Sequence, residues 1–146
     1  MKENKFWKII DMLDWSREGN DEEVLKPSLA YLAQMRDKEI FQFDEILSKL
    51  LYDLDSREMV ERVYKNAKNF DDDLFLYLRC VAVVNGKNFY RKILSGESNV
   101  NSDMEFESLL YLPRDAWALK HKKDSADYPH QTKYCFETGS NKKLWA

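Results

Sequence analysis

Apolar residues recur at three- and four-residue spacing over most of the first 121 positions, the period of helices with one buried face. Phe6, Ile9, Ile10 and Leu13 share one face of a first helix that starts at Glu3 or Asn4. Trp7 borders that face, Trp15 points away from it, and Gly19 supplies the turn that follows. Asp21, Glu22 and Glu23 place carboxylates at the positive end of a second helix, whose stripe is Leu25, Leu29, Leu32 and Ala33. Pro27 either kinks this helix or begins a new one, and the pattern leaves both open. A third helix, with Asp37 as its cap, carries the longest stripe: Ile40, Phe43, Leu47, Leu50, Leu51 and Leu54, with Phe41 and Tyr52 off the face. Asp55 and Glu58 have the spacing of a capping box for a fourth helix, with Met59, Val60, Val63, Tyr64 and Ala67 inward.

The next segment breaks the pattern. Asp71-Asp72-Asp73 precede Leu-Phe-Leu-Tyr-Leu-Arg-Cys-Val-Ala-Val-Val-Asn-Gly, which is apolar in nearly every direction except at Arg79. Its β-branched end resembles a strand, but the capping acids and the length favour a helix, with Asp71 or Asp72 as cap and Gly86 as a left-handed terminator. Such a helix needs neighbours all round, and is therefore central. Leaving the Arg79 charge buried and unpaired would cost about 3–5 kcal/mol, so a carboxylate partner is expected, with Asp11, Glu105 and Glu107 as candidates.

A short sixth helix carries Phe89, Tyr90, Ile93 and Leu94 and ends near Gly96. Ser102 to Glu105 reads as a capping box for a seventh with Phe106, Leu109 and Leu110, which Pro113 interrupts. From Lys122 the periodicity fails, leaving an irregular arm with an extended stretch expected at 133–138. The expectation is an all-α fold: a single compact multi-helix domain of about seven helices around a central buried helix. The first and third helices would pack on that centre. Residues 1–121 form the helical domain and 122–146 an irregular C-terminal arm on the same domain.

Composition changes this picture in three respects. Aromatic residues make up 14% of the chain, enough to exclude disorder despite 34% charged residues. The net charge of −3 is unevenly spread: residues 113–146 hold seven Lys/Arg against four Asp/Glu, and residues 1–112 hold 16 against 22. An acidic body argues against nucleic acid as partner, and the lysines at 120–123 and 142–143 lack a stacking platform. There is no membrane-length apolar run and no signal core. Two cysteines, Cys80 and Cys135, make no disulfide framework, so a reducing cytoplasm is the expected compartment.

Three motifs resemble a bacterial domain-of-unknown-function family of small helical proteins. They are Phe6-Trp7-x-x-Ile10-Asp11, the central Asp72-Asp73-x-Phe75-x-x-Leu78-Arg79-x-x-x-Val83-x-x-Gly86, and Phe106-Glu107-x-x-Leu110-Tyr111. The likeness spans roughly residues 6–117. Leu78 and Val81 stand where that family usually has Phe and Trp, a change that bears on any pocket those rings line. The resemblance implies a compact helical fold in a bacterial cytoplasmic protein and carries no activity.

Two functional readings compete. Asp72 and Arg79 lie within about 20° on a helical wheel and ~10 Å apart along the axis. With Asp73 they would make a carboxylate/arginine site for a small enzyme or ligand-binding protein. The structural alternative is that the aspartates cap and Arg79 pairs elsewhere. No cofactor motif, metal-ligand spacing or nucleophile elbow occurs, and Cys135 has only His130 nearby. The favoured reading is a non-catalytic protein-binding module that uses Trp15, Phe41, Tyr52 and Trp117, aromatics outside the stripes, as partner-binding anchors. Its most concrete form is an immunity-type inhibitor that neutralises a bacterial toxin by direct binding, by analogy with small domains of this kind. A structural homodimer is a third possibility.

Overall fold

The computed structural model describes all 146 residues. Eight α-helices follow in order: α1 (Glu3–Ile10), α2 (Asp21–Ala33), α3 (Asp37–Asp53), α4 (Arg57–Val63), α5 (Asp72–Val84), α6 (Lys87–Ser95), α7 (Leu112–His121) and α8 (Lys142–Trp145). Short 3-10 turns lie at Trp15–Arg17, Glu107–Tyr111 and Ser125–Asp127, and there is no strand. The chain is thus all-helical, as its periodicity predicts.

α5 is central. From Phe75 to Val84 every residue except Tyr77 is buried, and the helix packs against α3, α6 and the 3-10 turn Glu107–Tyr111. The third helix packs on it as expected, whereas the first makes its main contacts elsewhere. α1 instead lies on α2 and α3: Phe6 meets Phe43 at 4.6 Å, and the buried Ser28 hydroxyl donates to the Ile9 carbonyl at 2.8 Å. That hydroxyl also explains how a polar residue fits inside α2, since a buried donor needs an acceptor.

Several helix boundaries differ from the sequence pattern, each for a local reason. Pro27 sits within one continuous α2, on its exposed side, where water can reach the carbonyl that the missing N–H leaves free. Ser56, not Asp55, caps α4 by accepting from Met59 N–H at 3.1 Å. Asp55 is therefore released for other contacts. Gly86 does not terminate α5 in a left-handed turn; at φ 96°, ψ 169° it opens α6. Ser102 to Glu105 form no capping box, Glu105 instead accepting from the Glu107 N–H at the start of a 3-10 turn, and Pro113 lies in the first turn of α7, where its missing N–H costs no helix bond. Leu94, expected inward, is 49% exposed.

The arm leaves α7 at Lys122, which adopts a left-handed φ of 54°, and runs back along α3. No strand forms at 133–138. The arm is held by side chains. Tyr128 donates to Asp44 Oδ2 at 2.9 Å, and His130 lies on Phe41 with its Nε2 2.8 Å from Glu45 Oε1. The Lys133 N–H reaches both Glu45 oxygens at 3.1 Å. Tyr134 packs on Tyr52. The contacts to the α3 carboxylates thus come from a tyrosine, a histidine and a backbone N–H, not from the side chains of the arm's lysines.

Candidate functional site

The most constrained polar cluster is built on Arg79 and Asp55, both 0% exposed. A helical arginine leans toward the N-terminus of its helix, and here that direction carries the guanidinium to the end of α3. Nη1 donates to the Leu51 carbonyl at 2.9 Å and Nη2 to Thr138 Oγ1 at 3.0 Å, while the Phe75 ring lies 4.7 Å from Cζ. Thr138 in turn donates its hydroxyl proton to the Asp72 carbonyl at 2.7 Å. No carboxylate forms an ion pair with Arg79, and its Nε has no partner.

This corrects the expected pairing. Asp11 is exposed, Glu105 accepts from the Glu107 N–H, and Glu107 accepts from the Tyr111 hydroxyl, so none of the three candidates serves Arg79. The charge that most favours the protonated guanidinium is that of Asp55, and burial opposes it more strongly, lowering the Arg79 pKa. Asp55 is itself fully engaged. Its Oδ1 accepts from Gly139 N–H at 3.0 Å and Trp145 Nε1–H at 2.8 Å, and its Oδ2 accepts from Asn141 N–H at 3.0 Å. Hydrogen bonds to an ionised acceptor are the strong kind, and here all three donors come from the arm.

Asp72 and Asp73 are exposed in the first turn of α5, which Asp71 caps by accepting from Leu74 N–H at 3.0 Å. Asp72 contributes its backbone carbonyl to the cluster, not its carboxylate. None of the surface cavities is lined by Asp72, Asp73 or Arg79. The structure therefore does not gather these three side chains around a common space.

The four aromatic anchors separate in the same way. Trp117 is 5% exposed and packs against His121 and Tyr128. Phe41 is half-buried beneath His130, and Tyr52 half-buried beside Tyr134. Only Trp15, 41% exposed, stands free of the arm. It borders a groove of 340 Å³ with Val81, Val84 and Phe106 among its apolar lining, the exposed Met104 at its edge, and Glu18, Asp21 and Glu105 as its charged groups. No basic residue lines it. Burial, then the nearby Glu105 charge, raises the Asp21 pKa, as expected where carboxylates crowd a partly dry surface.

Other chemistry is sparse. Cys80 is fully buried and its thiol pKa is pushed well up by burial, whereas Cys135 is exposed and its sulfur accepts from the Ser140 hydroxyl at 3.2 Å. No group of three or more His, Cys, Asp or Glu side chains is placed to hold a metal ion. No helix is long and apolar enough to cross a membrane.

The molecule is thus a helical body closed by an arm over two buried side chains, Asp55 and Arg79. Residues 1–118 match the family described as proteins of unknown function (DUF4240), and the chain belongs to that family. No curated protein and no solved structure matches it. The family match ends inside α7, so Asp55 and Arg79 lie within it and every arm residue that contacts them lies beyond it.

Proposed function

We propose that this protein is a non-catalytic protein-binding module, and most concretely an immunity-type inhibitor that neutralises a bacterial toxin, in the cytoplasm, by direct contact. The observation that carries this reading is the groove at Trp15. A large aromatic side chain left 41% exposed beside Met104 at 47%, over an apolar floor and among three carboxylates, has the composition of a binding hot spot for a basic partner. The acidic balance of residues 1–112 would steer such a partner toward the body. The carboxylate/arginine alternative draws no comparable support, because Arg79 is sealed from solvent while Asp72 and Asp73 are exposed and neither carboxylate pairs with it.

The test is capture from the native host with the wild-type chain and with Trp15→Ala, followed by toxicity assays on any captured protein. A captured basic toxin whose activity the wild type suppresses, and the variant does not, supports the reading. Equal capture by both chains, or capture only of proteins whose activity is unchanged, overturns it.

A further inference from the structure

The arm meets the body as a ligand meets a site. Within residues 138–146 each polar contact to the body has a defined partner. Thr138 bridges Arg79 and the Asp72 carbonyl, and Gly139 and Asn141 give their N–H groups to Asp55. The Asn141 Nδ2 donates to the Tyr52 carbonyl at 2.9 Å. The Trp145 ring lies face-on to Phe70 and edge-on to Phe75 while its indole N–H reaches Asp55, and Arg57 donates twice to its carbonyl. A hydroxyl, two backbone N–H groups, an amide and an indole are thus read one by one. A merely greasy segment could not cover this surface, because it would leave Asp55 and Arg79 buried without these partners, so the cleft selects for matching polar groups. The segment is also joined to α7 only through residues with few regular backbone bonds, starting at the left-handed Lys122.

We propose that the cleft between the α3–α4 junction and α5 is a peptide-binding site for a short segment of the pattern Thr-Gly-x-Asn-x-x-x-Trp, filled in cis by the chain's own residues 138–145. Asp55 is the central acceptor of the site and Arg79 reads the hydroxyl residue. The tether gives the arm a high effective concentration, so a segment of the same chemistry in trans gains access only when the arm departs. This site is separate from the Trp15 groove, and its test does not depend on the identity of any toxin.

The experiment uses the full chain with a specific protease site placed between Lys123 and Asp124. After cleavage of the folded protein, a fluorescent peptide of residues 128–146 is titrated in and followed by anisotropy. The proposal expects the nicked protein to keep its helical circular dichroism and to take up the peptide saturably. The uncut chain should bind the peptide about 100-fold more weakly or less. Peptides carrying Thr138→Val, Asn141→Ala or Trp145→Ala should each lose about tenfold or more in affinity. Because these changes lie in the peptide, they cannot unfold the body. Unfolding on cleavage, failure of the resident arm to exchange, or equal binding of the variant peptides would each overturn the proposal.

Discussion

The guanidinium of Arg79 and the hydroxyl of Thr138 meet at 3.0 Å across 59 residues of chain, and this contact joins the centre of the helical body to its arm. The hydroxyl accepts from one side and donates to the Asp72 carbonyl on the other, so a single small group bridges the buried guanidinium and the exposed first turn of α5. Thr138→Val keeps the shape and removes both bonds. It should destabilise the fold by about 1–3 kcal/mol, the cost of leaving a buried donor unmet. Thr138→Ser should restore most of that loss. Urea unfolding of the two variants at unchanged m-value checks it.

Trp15 and Trp117 should behave as opposites. Trp117→Ala empties a core position and should cost about 3–5 kcal/mol. Trp15→Ala removes a side chain that is 41% exposed and should cost far less, about 1 kcal/mol or under, on the scale of partly exposed sites. Thermal melts of both variants decide this. A large loss for Trp15→Ala would assign that ring to the core and remove it as an anchor.

The start of the arm should respond to acid. Asp37 accepts from Lys120 Nζ at 2.7 Å and lies 2.9 Å from His121 Nε2. The Lys120 hydrogen bond is the largest cause holding its pKa below the ordinary value, with partial burial opposing and His121 adding. A lowered folded-state pKa means the native protein binds this proton less readily than the unfolded chain. The contact therefore stabilises above the ordinary carboxylate pKa and is lost as pH falls through the lowered value. The group is well exposed, so screening limits the effect to within about 1 kcal/mol. Asp37→Asn should melt below the wild type near about pH 6, with the gap closing toward about pH 2. A gap that widens in acid would contradict the assignment.

Asp44 should show the reverse sense. Burial raises its pKa, with the Tyr128 hydroxyl bond opposing. Its protonated form is favoured in the fold, so it contributes stability below the unfolded-state pKa that is lost as pH rises through the raised value. Stability of Asp44→Asn relative to the wild type should therefore rise as pH climbs above the ordinary carboxylate range. Denaturant titrations from that range upward read the slope.

The two thiols should differ sharply toward an alkylating reagent. Cys135 is exposed and should react at once, while Cys80, buried with its thiol pKa raised, should react only when the body opens. Mass spectrometry of the alkylated native protein should find one modified cysteine, at 135.

The helical body was legible because its signal is local. The stripes from Phe6 to Leu13 and from Ile40 to Leu54 are buried as their spacing predicts, and the all-round apolar pattern of α5 places it at the centre. The burial of Arg79 followed from the same pattern. Its partners did not, because Leu51 offers only a backbone carbonyl and Thr138 lies in a segment with no periodicity. Asp55 was misread as half of a capping box for a related reason. Ser56 next to it caps α4 equally well, and nothing local tells which of two adjacent caps is used. The docking of the arm on α3 left no such signal, because its contacts to Asp44 and Glu45 come from Tyr128, His130 and the Lys133 backbone N–H and from none of the Lys or Arg side chains that make the arm basic. The same docking partly covers Phe41 and Tyr52, whose own helix leaves them off its buried face.

Synthesis order adds a temporal dimension to the Arg79–Thr138 contact. At about 5–20 residues per second, a ribosome makes Thr138 about 3–12 s after Arg79. During that interval a nascent body would hold its guanidinium and the Asp55 carboxylate in water. Their final dehydration must then await synthesis of Thr138 and the arm around it, so this part of the core closes only after a segment far along the chain has been made.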